Sequence, residues 1–171
     1  MTDAAAHCVR LRPATAGDRF LIRRWLRLPH VERWWGRASA TEAAVGMALA
    51  SPSALCRMIL WETEPIGYAH AVDASLWAAE LPAGLPAGCW GIDLFIASPA
   101  HRGRGAGRHT LQRLTDEVFQ TTMAVACAVV PPIANEAAVR TYERAGFRWQ
   151  RIWHDPVAGP AWLMLLARPP R

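Results

Sequence analysis

A turn rich in glycine and arginine is the segment best suited to bind a ligand; it reads Arg102-Gly103-Arg104-Gly105-Ala106-Gly107-Arg108. Glycines let a backbone approach a ligand closely, and the first amides of a following helix are unsatisfied donors at the positive end of its dipole. Arginines add bidentate contacts to phosphate. The segment therefore predicts a phosphate-binding turn, the alternative being a glycine-rich turn with incidental arginines.

Two common nucleotide-binding motifs do not fit this turn. A P-loop ends in Gly-Lys-Ser/Thr, whereas all 19 basic residues of the chain are arginine. The dinucleotide fingerprint requires a third glycine where Arg108 stands. A different phosphate ligand is therefore expected.

Asp93 is the candidate general base, because it lies inside an otherwise apolar strand with the sequence Trp90-Gly-Ile-Asp93-Leu-Phe. A carboxylate among apolar neighbours is costly unless it is paired or faces a cleft. A salt bridge to an arginine is the structural alternative.

Two segments together resemble the GCN5-related N-acetyltransferase superfamily. The first is the turn, which matches the family's Gln/Arg-x-x-Gly-x-Gly/Ala cofactor loop. The second is an Ala-rich helix with its flanking residues, which matches at Asn135, Tyr142, Glu143, Gly146 and Phe147. The resemblance implies a central, mostly antiparallel mixed sheet flanked by helices, in which two central strands splay apart.

The same resemblance implies acetyl-CoA as the acetyl donor. The diphosphate is expected on the amides of residues 103–107, the pantetheine arm along Phe95 and Ile96, and a further contact from Asn135. A backbone amide near Ile96 is expected to meet the oxyanion. Tyr142 is expected to protonate the departing thiolate, because a phenol with a pKa of about 10 can donate a hydrogen bond to sulfur. A core aromatic packed beside Val139 is the alternative for Tyr142.

A narrower resemblance, from about residue 21 to residue 168, is to the aminoglycoside 6′-N-acetyltransferases that acetylate kanamycin- and tobramycin-type drugs. The matching segments are Leu28-Pro29-His30-Val31, Trp34-Trp35-Gly36, Glu64-Pro65-Ile66-Gly67-Tyr68-Ala69, Gly91-Ile92-Asp93 and Gly159-Pro160-Ala161. In that branch the aspartate matching Asp93 is the proposed base, and the tyrosine matching Tyr68 lines the acceptor site. The expected acceptor-binding residues are Trp34, Trp35, Tyr68, Asp73, Trp77, Glu80 and Asp93.

Two departures from that branch concern the acceptor. A polycationic drug is best bound by several carboxylates, yet residues 73–92 contain only Asp73 and Glu80, and Val130 replaces an aspartate of the branch. Two alternatives therefore stay open. One is an acetyltransferase that acts on a metabolic amine, a siderophore precursor or a peptide N-terminus; the other is a CoA-binding module without turnover.

The elements that must position these residues follow from hydrophobic patterning and turn chemistry. The predicted strands are residues 8–13, 55–61, 66–73, 89–97, 123–130, 147–153 and 161–167; the predicted helices are 19–27, 41–50, 107–120 and 135–145. Residues 62–65 form the expected hairpin turn, and 74–88 a long loop. Strands interleaved with helices predict an α/β or α+β fold with a mixed sheet, as one acetyltransferase domain over residues 1–171.

Composition excludes several other classes of protein. The chain has 171 residues, of which 52% are hydrophobic and only 19% charged, so a disordered chain is excluded. The longest charge-free stretch is too polar to span a membrane, and the first 13 residues do not form a signal peptide. Four widely spaced cysteines predict reduced core residues of a cytoplasmic protein without a metal site. The net charge of +5 comes from arginines dispersed along the chain, a distribution that does not favour nucleic-acid binding. Either a monomer or a homodimer is compatible with the sequence.

Overall fold

The computed structural model describes residues 8–76, 81–156 and 158–170. Its strands are β1 (Val9–Pro13), β2 (Ala54–Trp61), β3 (Glu64–Asp73), β4 (Cys89–Ile96), β5 (Ala126–Val129), β6 (Arg148–Asp155) and β7 (Gly159–Ala167). Its α-helices are α1 (Arg19–Leu26), α2 (Pro29–Trp35), α3 (Ala38–Ala50), α4 (Ala106–Thr121) and α5 (Glu136–Arg144). Short 3-10 turns cover Ala16–Asp18 and Pro99–His101.

The seven strands form one mixed sheet in the order β1-β2-β3-β4-β5-β7-β6. β1 pairs antiparallel with β2, and β7 pairs antiparallel with both β5 and β6. β4 and β5 are parallel, and their register covers only Cys89, Trp90 and Gly91 of β4. The rest of β4 extends beyond this pairing, as expected for two central strands that separate. The mixed α/β fold predicted from the sequence is confirmed.

The chain divides into two compact units. The first unit combines the described residues up to His70 with Leu94–Thr110; the second combines the described residues of Ala71–Asp93 and of Leu111–Arg171. The chain passes from one unit to the other within β3, within β4 and within α4.

In the first unit, a charged pair fixes the start of α1. Arg12 donates two hydrogen bonds to the Asp18 carboxylate, at 2.8 and 2.7 Å, and the Thr15 amide donates to the same carboxylate at 2.8 Å. This arrangement caps the turn that leads into α1. Ile22 and Leu26, one turn apart, are buried on the inner face of the helix, so the predicted helix 19–27 is confirmed to within one residue.

In the second unit, Arg168 closes the end of α4. Its guanidinium donates to the carbonyl oxygens of Phe119, Ala124 and Thr122 at 2.6, 2.6 and 2.7 Å. These are carbonyls at and just after the helix C-terminus, where intrahelical partners run out. A cation there also interacts favourably with the helix dipole.

Two sequence-based boundaries were wrong. The strand predicted at residues 123–130 begins only at Ala126, and Met123 and Val125 are exposed. The Thr122 hydroxyl accepts from the Ala124 amide at 3.0 Å, so these residues complete the turn after α4. β3 begins at Glu64, so the hairpin needs only Glu62 and Thr63, with Glu62 in the left-handed region at φ 56°.

All four cysteines are free thiols in the structure; Cys56, Cys89 and Cys127 are buried, whereas Cys8, predicted as a core residue, is only half-buried. Burial raises the pKa of the Cys89 thiol to about 11 and that of Cys127 to about 12, so both stay protonated and unreactive. Within the described part of the chain, no helix is long and apolar enough to cross a membrane.

Candidate active site

The glycine-arginine turn lies in the first unit, between the 3-10 turn Pro99–His101 and α4. Gly103 and Gly105 adopt the left-handed φ values of 73° and 85° that favour glycine. The Gly105 carbonyl oxygen accepts from the His109 amide at 3.1 Å, which begins the hydrogen bonding of α4. Arg102 and Arg104 are exposed, and Arg108 is half-buried. The turn therefore presents positive charge beside the start of a 16-residue helix.

The end of β4 precedes this turn and is held by β3 and α2. The amides of Ala97 and Ser98 both donate to the Ile66 carbonyl oxygen, at 2.7 and 3.2 Å. His30 Nε2 donates to the Ile96 carbonyl oxygen at 3.3 Å. Phe95 is buried and Ile96 is half-buried, so only Ile96 of this predicted cofactor-binding pair offers its side chain to a ligand.

An aromatic cluster in the first unit contains three of the predicted residues. Trp35 makes edge contacts with Tyr68, His70 and Phe95, at centroid distances of 6.2, 5.7 and 4.9 Å. The Tyr68 side chain is fully buried, so its ring supports Trp35 and His70 in this structure. Trp35 is half-buried, as is Trp34, over whose ring the Arg33 guanidinium lies at 4.6 Å.

The sequence analysis missed His70. It follows Tyr68 by two residues in β3, and alternation along a strand places both on one face, which is the signal that could have found it. Burial lowers the pKa of His70 to about 4, so the imidazole is neutral at pH 7. His70 Nδ1 is buried and has no hydrogen-bond partner among the described residues.

The second unit brings together the two predicted catalytic residues. Asp93 is exposed on β4, whereas its neighbour Ile92 is buried. Tyr142 is buried on α5, with its ring 5.9 Å from that of Phe147. Burial raises the pKa of the Tyr142 phenol well above its usual range, and the Asp93 carboxylate raises it further. Tyr142 is therefore a neutral hydrogen-bond donor at physiological pH, close enough to Asp93 to sense its charge.

Asn135 caps α5. Its side-chain oxygen accepts from the Ala138 amide at 3.3 Å, which leaves the side-chain NH₂ group as the donor available to a ligand. At the other end, Gly146 adopts a φ of 100° and its amide donates to the Glu143 carbonyl oxygen. The cap and the stop thus set the length of the helix that carries Tyr142.

Of the two predicted acidic residues before β4, the structure describes Asp73. One oxygen of the Asp73 carboxylate accepts from the amide and the hydroxyl of Ser75, at 2.9 and 2.7 Å. Trp77 and Glu80, also predicted to contact the acceptor, lie outside the described residues.

Comparison with known proteins decides the family. Residues 14–154 match the family model for an acetyltransferase (GNAT) domain. The chain belongs to the GNAT acetyltransferase family. This match spans both the glycine-arginine turn and α5, which are the segments on which the resemblance was based.

The relatives of this GNAT acetyltransferase include an aminoglycoside acetyltransferase and a kanamycin resistance protein. Aminoglycoside N(6′)-acetyltransferase type 1 of Klebsiella pneumoniae is 30% identical over 94% of this chain and 83% of that protein. A kanamycin resistance protein of Rhizobium radiobacter is 32% identical over 47% of this chain and 74% of its own length. The solved structure of AAC(6′)-Ib with paromomycin and acetyl-CoA superposes with a TM-score of 0.78 at 29% identity, covering 94% of this chain and 93% of that one.

Proposed function

We propose that this GNAT acetyltransferase transfers the acetyl group of acetyl-CoA to the 6′-amino group of an aminoglycoside. The observation that carries the proposal is that the second unit holds both an exposed carboxylate, Asp93, and a buried phenol, Tyr142. Amine acylation needs one group to take a proton from the nucleophile and another to give one to the leaving group. Asp93 and Tyr142 supply these two functions.

The chemistry of the glycine-arginine turn fits coenzyme A. A Cβ added at Gly103 would meet no atom within 4 Å, so the backbone there is open to a ligand. The exposed Arg102 complements a diphosphate, and the side-chain NH₂ of Asn135 suits a pantetheine amide. Acetyl-CoA supplies the activated thioester; the residues of this chain position it and move protons around it.

Asp93 acts on the acceptor amine. An aliphatic ammonium with a pKa near that of lysine is almost entirely protonated at pH 7, and the neutral form lies about 5 kcal/mol higher in free energy. An exposed carboxylate binds the ammonium, and it takes the proton, directly or through water, as the nitrogen attacks the thioester carbonyl. Holding the amine against the carbonyl supplies much of the remaining rate enhancement.

Tyr142 acts on the leaving sulfur. It donates a proton to sulfur as the carbon–sulfur bond breaks, and a proton from Asp93 replaces the one it gave. The negative charge of Asp93 raises the pKa of Tyr142. Once Asp93 has accepted the amine proton this repulsion disappears, so Tyr142 becomes a stronger acid when the leaving group needs it.

The experiment that tests the proposal measures initial rates of CoA thiol release from acetyl-CoA with kanamycin, tobramycin, spermidine or a short peptide as acceptor. Release with the two drugs and not with the other amines is expected. Asp93→Asn and Tyr142→Phe are expected to lower kcat by about 10²–10³-fold, with the KM for acetyl-CoA unchanged. Asp116→Asn, on the exposed face of α4, is the matched control and keeps the wild-type rate.

A different amine acceptor is the second candidate, and one observation favours it. Val130 replaces an acceptor-binding aspartate of the resembled branch and packs against an apolar cluster that includes Ala74, Cys89 and Leu163. With valine at this position, the second unit lacks one of the acceptor-binding charges of that branch. Thiol release with spermidine or the peptide, and none with either drug, would establish this candidate and refute the first.

We also propose that the enzyme acts in the cytoplasm, as a monomer or homodimer, on a small-molecule amine and without nucleic acid. The reduced, buried cysteines support the cytoplasmic assignment, because free thiols persist in a reducing compartment. The dispersion of the arginines along the chain supports an acceptor other than nucleic acid.

A further inference from the structure

Arg104 is held in one orientation although it is exposed. Its guanidinium carbon lies 4.8 Å from the ring centroid of Trp61, which is the last residue of β2 and is paired with Val9 of β1. An arginine stacked on an indole gains cation–π attraction and loses rotamer freedom before any ligand binds. Its N–H groups remain available at the edge of the guanidinium plane.

The Trp61 ring also packs against the 3-10 turn that precedes the glycine-arginine turn. The His101 ring packs against it at a centroid distance of 5.0 Å and an interplanar angle of 43°. Ser98 Oγ is hydrogen-bonded to His101 Nδ1 at 2.8 Å, and His101 is buried. A continuous series of contacts within the first unit, called the brace below, thus consists of Ser98, His101, Trp61 and Arg104.

The left-handed glycines on either side of Arg104 leave the arginine end of this brace accessible to a ligand. Gly103 and Gly105 turn the chain sharply at φ 73° and 85°, and the space around Gly103 is open. The turn amides are suited to the diphosphate of coenzyme A, so a guanidinium fixed outside them is suited to another anion of the same molecule. Coenzyme A carries one, the 3′-phosphate, which as a monoester has a charge of about −1.5 to −2 at pH 7.

We propose that Arg104, oriented by Trp61, binds the 3′-phosphate of coenzyme A and makes the enzyme discriminate against dephospho-CoA. This inference rests on the proposed use of acetyl-CoA. Arg104 is the binding residue, and Trp61 is a positioning residue that acts through it. Two charge-assisted hydrogen bonds from a preorganised guanidinium are expected to favour CoA over dephospho-CoA by about tenfold.

The test is isothermal titration calorimetry of the full chain with CoA and with dephospho-CoA. Arg104→Gln is expected to weaken CoA binding about tenfold and dephospho-CoA binding less than twofold, which removes the discrimination. Trp61→Leu, which keeps Arg104 but removes the stacking surface, is expected to lose most of it, whereas Trp61→Phe keeps it. Arg113→Gln, on the exposed face of α4, is the control for a general loss of positive charge.

Four results would overturn the inference. Equal weakening for both ligands in Arg104→Gln would assign Arg104 to the diphosphate. Wild-type discrimination in Trp61→Leu, with folding verified by circular dichroism, would remove the positioning role of Trp61. Equal affinity of the wild type for the two ligands would remove the 3′-phosphate contact, while the proposed function would stand on thiol release. Absence of CoA binding altogether would instead refute the proposed function and this inference with it.

Discussion

Replacing Gly67 by alanine tests whether the close approach of β3 to β4 positions the strand end assigned to the cofactor. A Cβ at position 67 would lie 2.2 Å from the Phe95 carbonyl oxygen and 3.2 Å from the Ile96 Cα. Both are backbone atoms, so no side chain can rotate away. Gly67 does not occupy the left-handed region, and the effect is therefore purely steric.

The expected cost follows from the displacement that this contact forces. β3 and β4 must separate by about 1 Å to restore ordinary van der Waals distances, and overpacking of this kind costs about 1–3 kcal/mol. The separation also lengthens the hydrogen bonds from Ala97 and Ser98 to Ile66, each of which contributes about 0.5–1.5 kcal/mol. The free energy of unfolding should fall by about 2–6 kcal/mol, a large share of the roughly 5–15 kcal/mol typical of folded proteins.

Urea denaturation followed by circular dichroism measures this loss, and calorimetry measures the accompanying change in CoA affinity. Gly46→Ala is the matched control: its added Cβ would meet only the terminal Arg19 Nη2, at 3.4 Å, and alanine favours the interior of α3 by about 1 kcal/mol. We expect Gly67→Ala to bind CoA at least tenfold more weakly, because Phe95 and Ile96 must shift. A Gly67→Ala protein as stable as Gly46→Ala, with wild-type CoA affinity, would refute the reasoning.

Two further predictions concern stability. Arg168→Gln removes most of the donors that bind three carbonyl oxygens at the end of α4, so the free energy of unfolding should fall by about 2–4 kcal/mol. The control is Arg151→Gln, which loses one exposed hydrogen bond to Ala83. If thermal denaturation shows equal losses of stability in the two variants, the role assigned to Arg168 is contradicted. The hydrogen bonds from Arg12 lower the pKa of Asp18 to about 2, so this carboxylate contributes about 2 kcal/mol of stability above its unfolded-state pKa of 3.8. That contribution disappears as the pH falls from about 4 towards 2. Asp18→Asn should therefore flatten the pH dependence of the free energy of unfolding in this range. An unchanged dependence in the variant would contradict the stabilising pair of Arg12 and Asp18.

Most elements were predictable from local sequence. α5 illustrates this, because its asparagine cap, its glycine stop and its amphipathic spacing are all written within a dozen residues. The strands β6 and β7 likewise pair as predicted. Local rules succeed where the deciding interactions lie within a few residues of one another.

The features that sequence did not reveal depend on partners distant in the chain. Trp61 was not singled out, because its contact with Arg104 joins residues 43 positions apart. The burial of Tyr68 and His70 depends on packing against Trp35 and Phe95 from other elements. The residues before β5 look like strand by composition, yet Thr122 and Arg168 hold them in a turn. No local pattern encodes such contacts.

The position of β7 has a consequence for how the protein is made. β7 follows both β5 and β6 in the chain, yet it lies between them in the sheet. Until it is synthesised, the nascent chain carries two strands whose backbone groups lack their partner, and unpaired strand edges promote aggregation. A nonsense mutation anywhere before Gly159 would therefore remove an interior strand, and the second unit can close only after β7 has been synthesised.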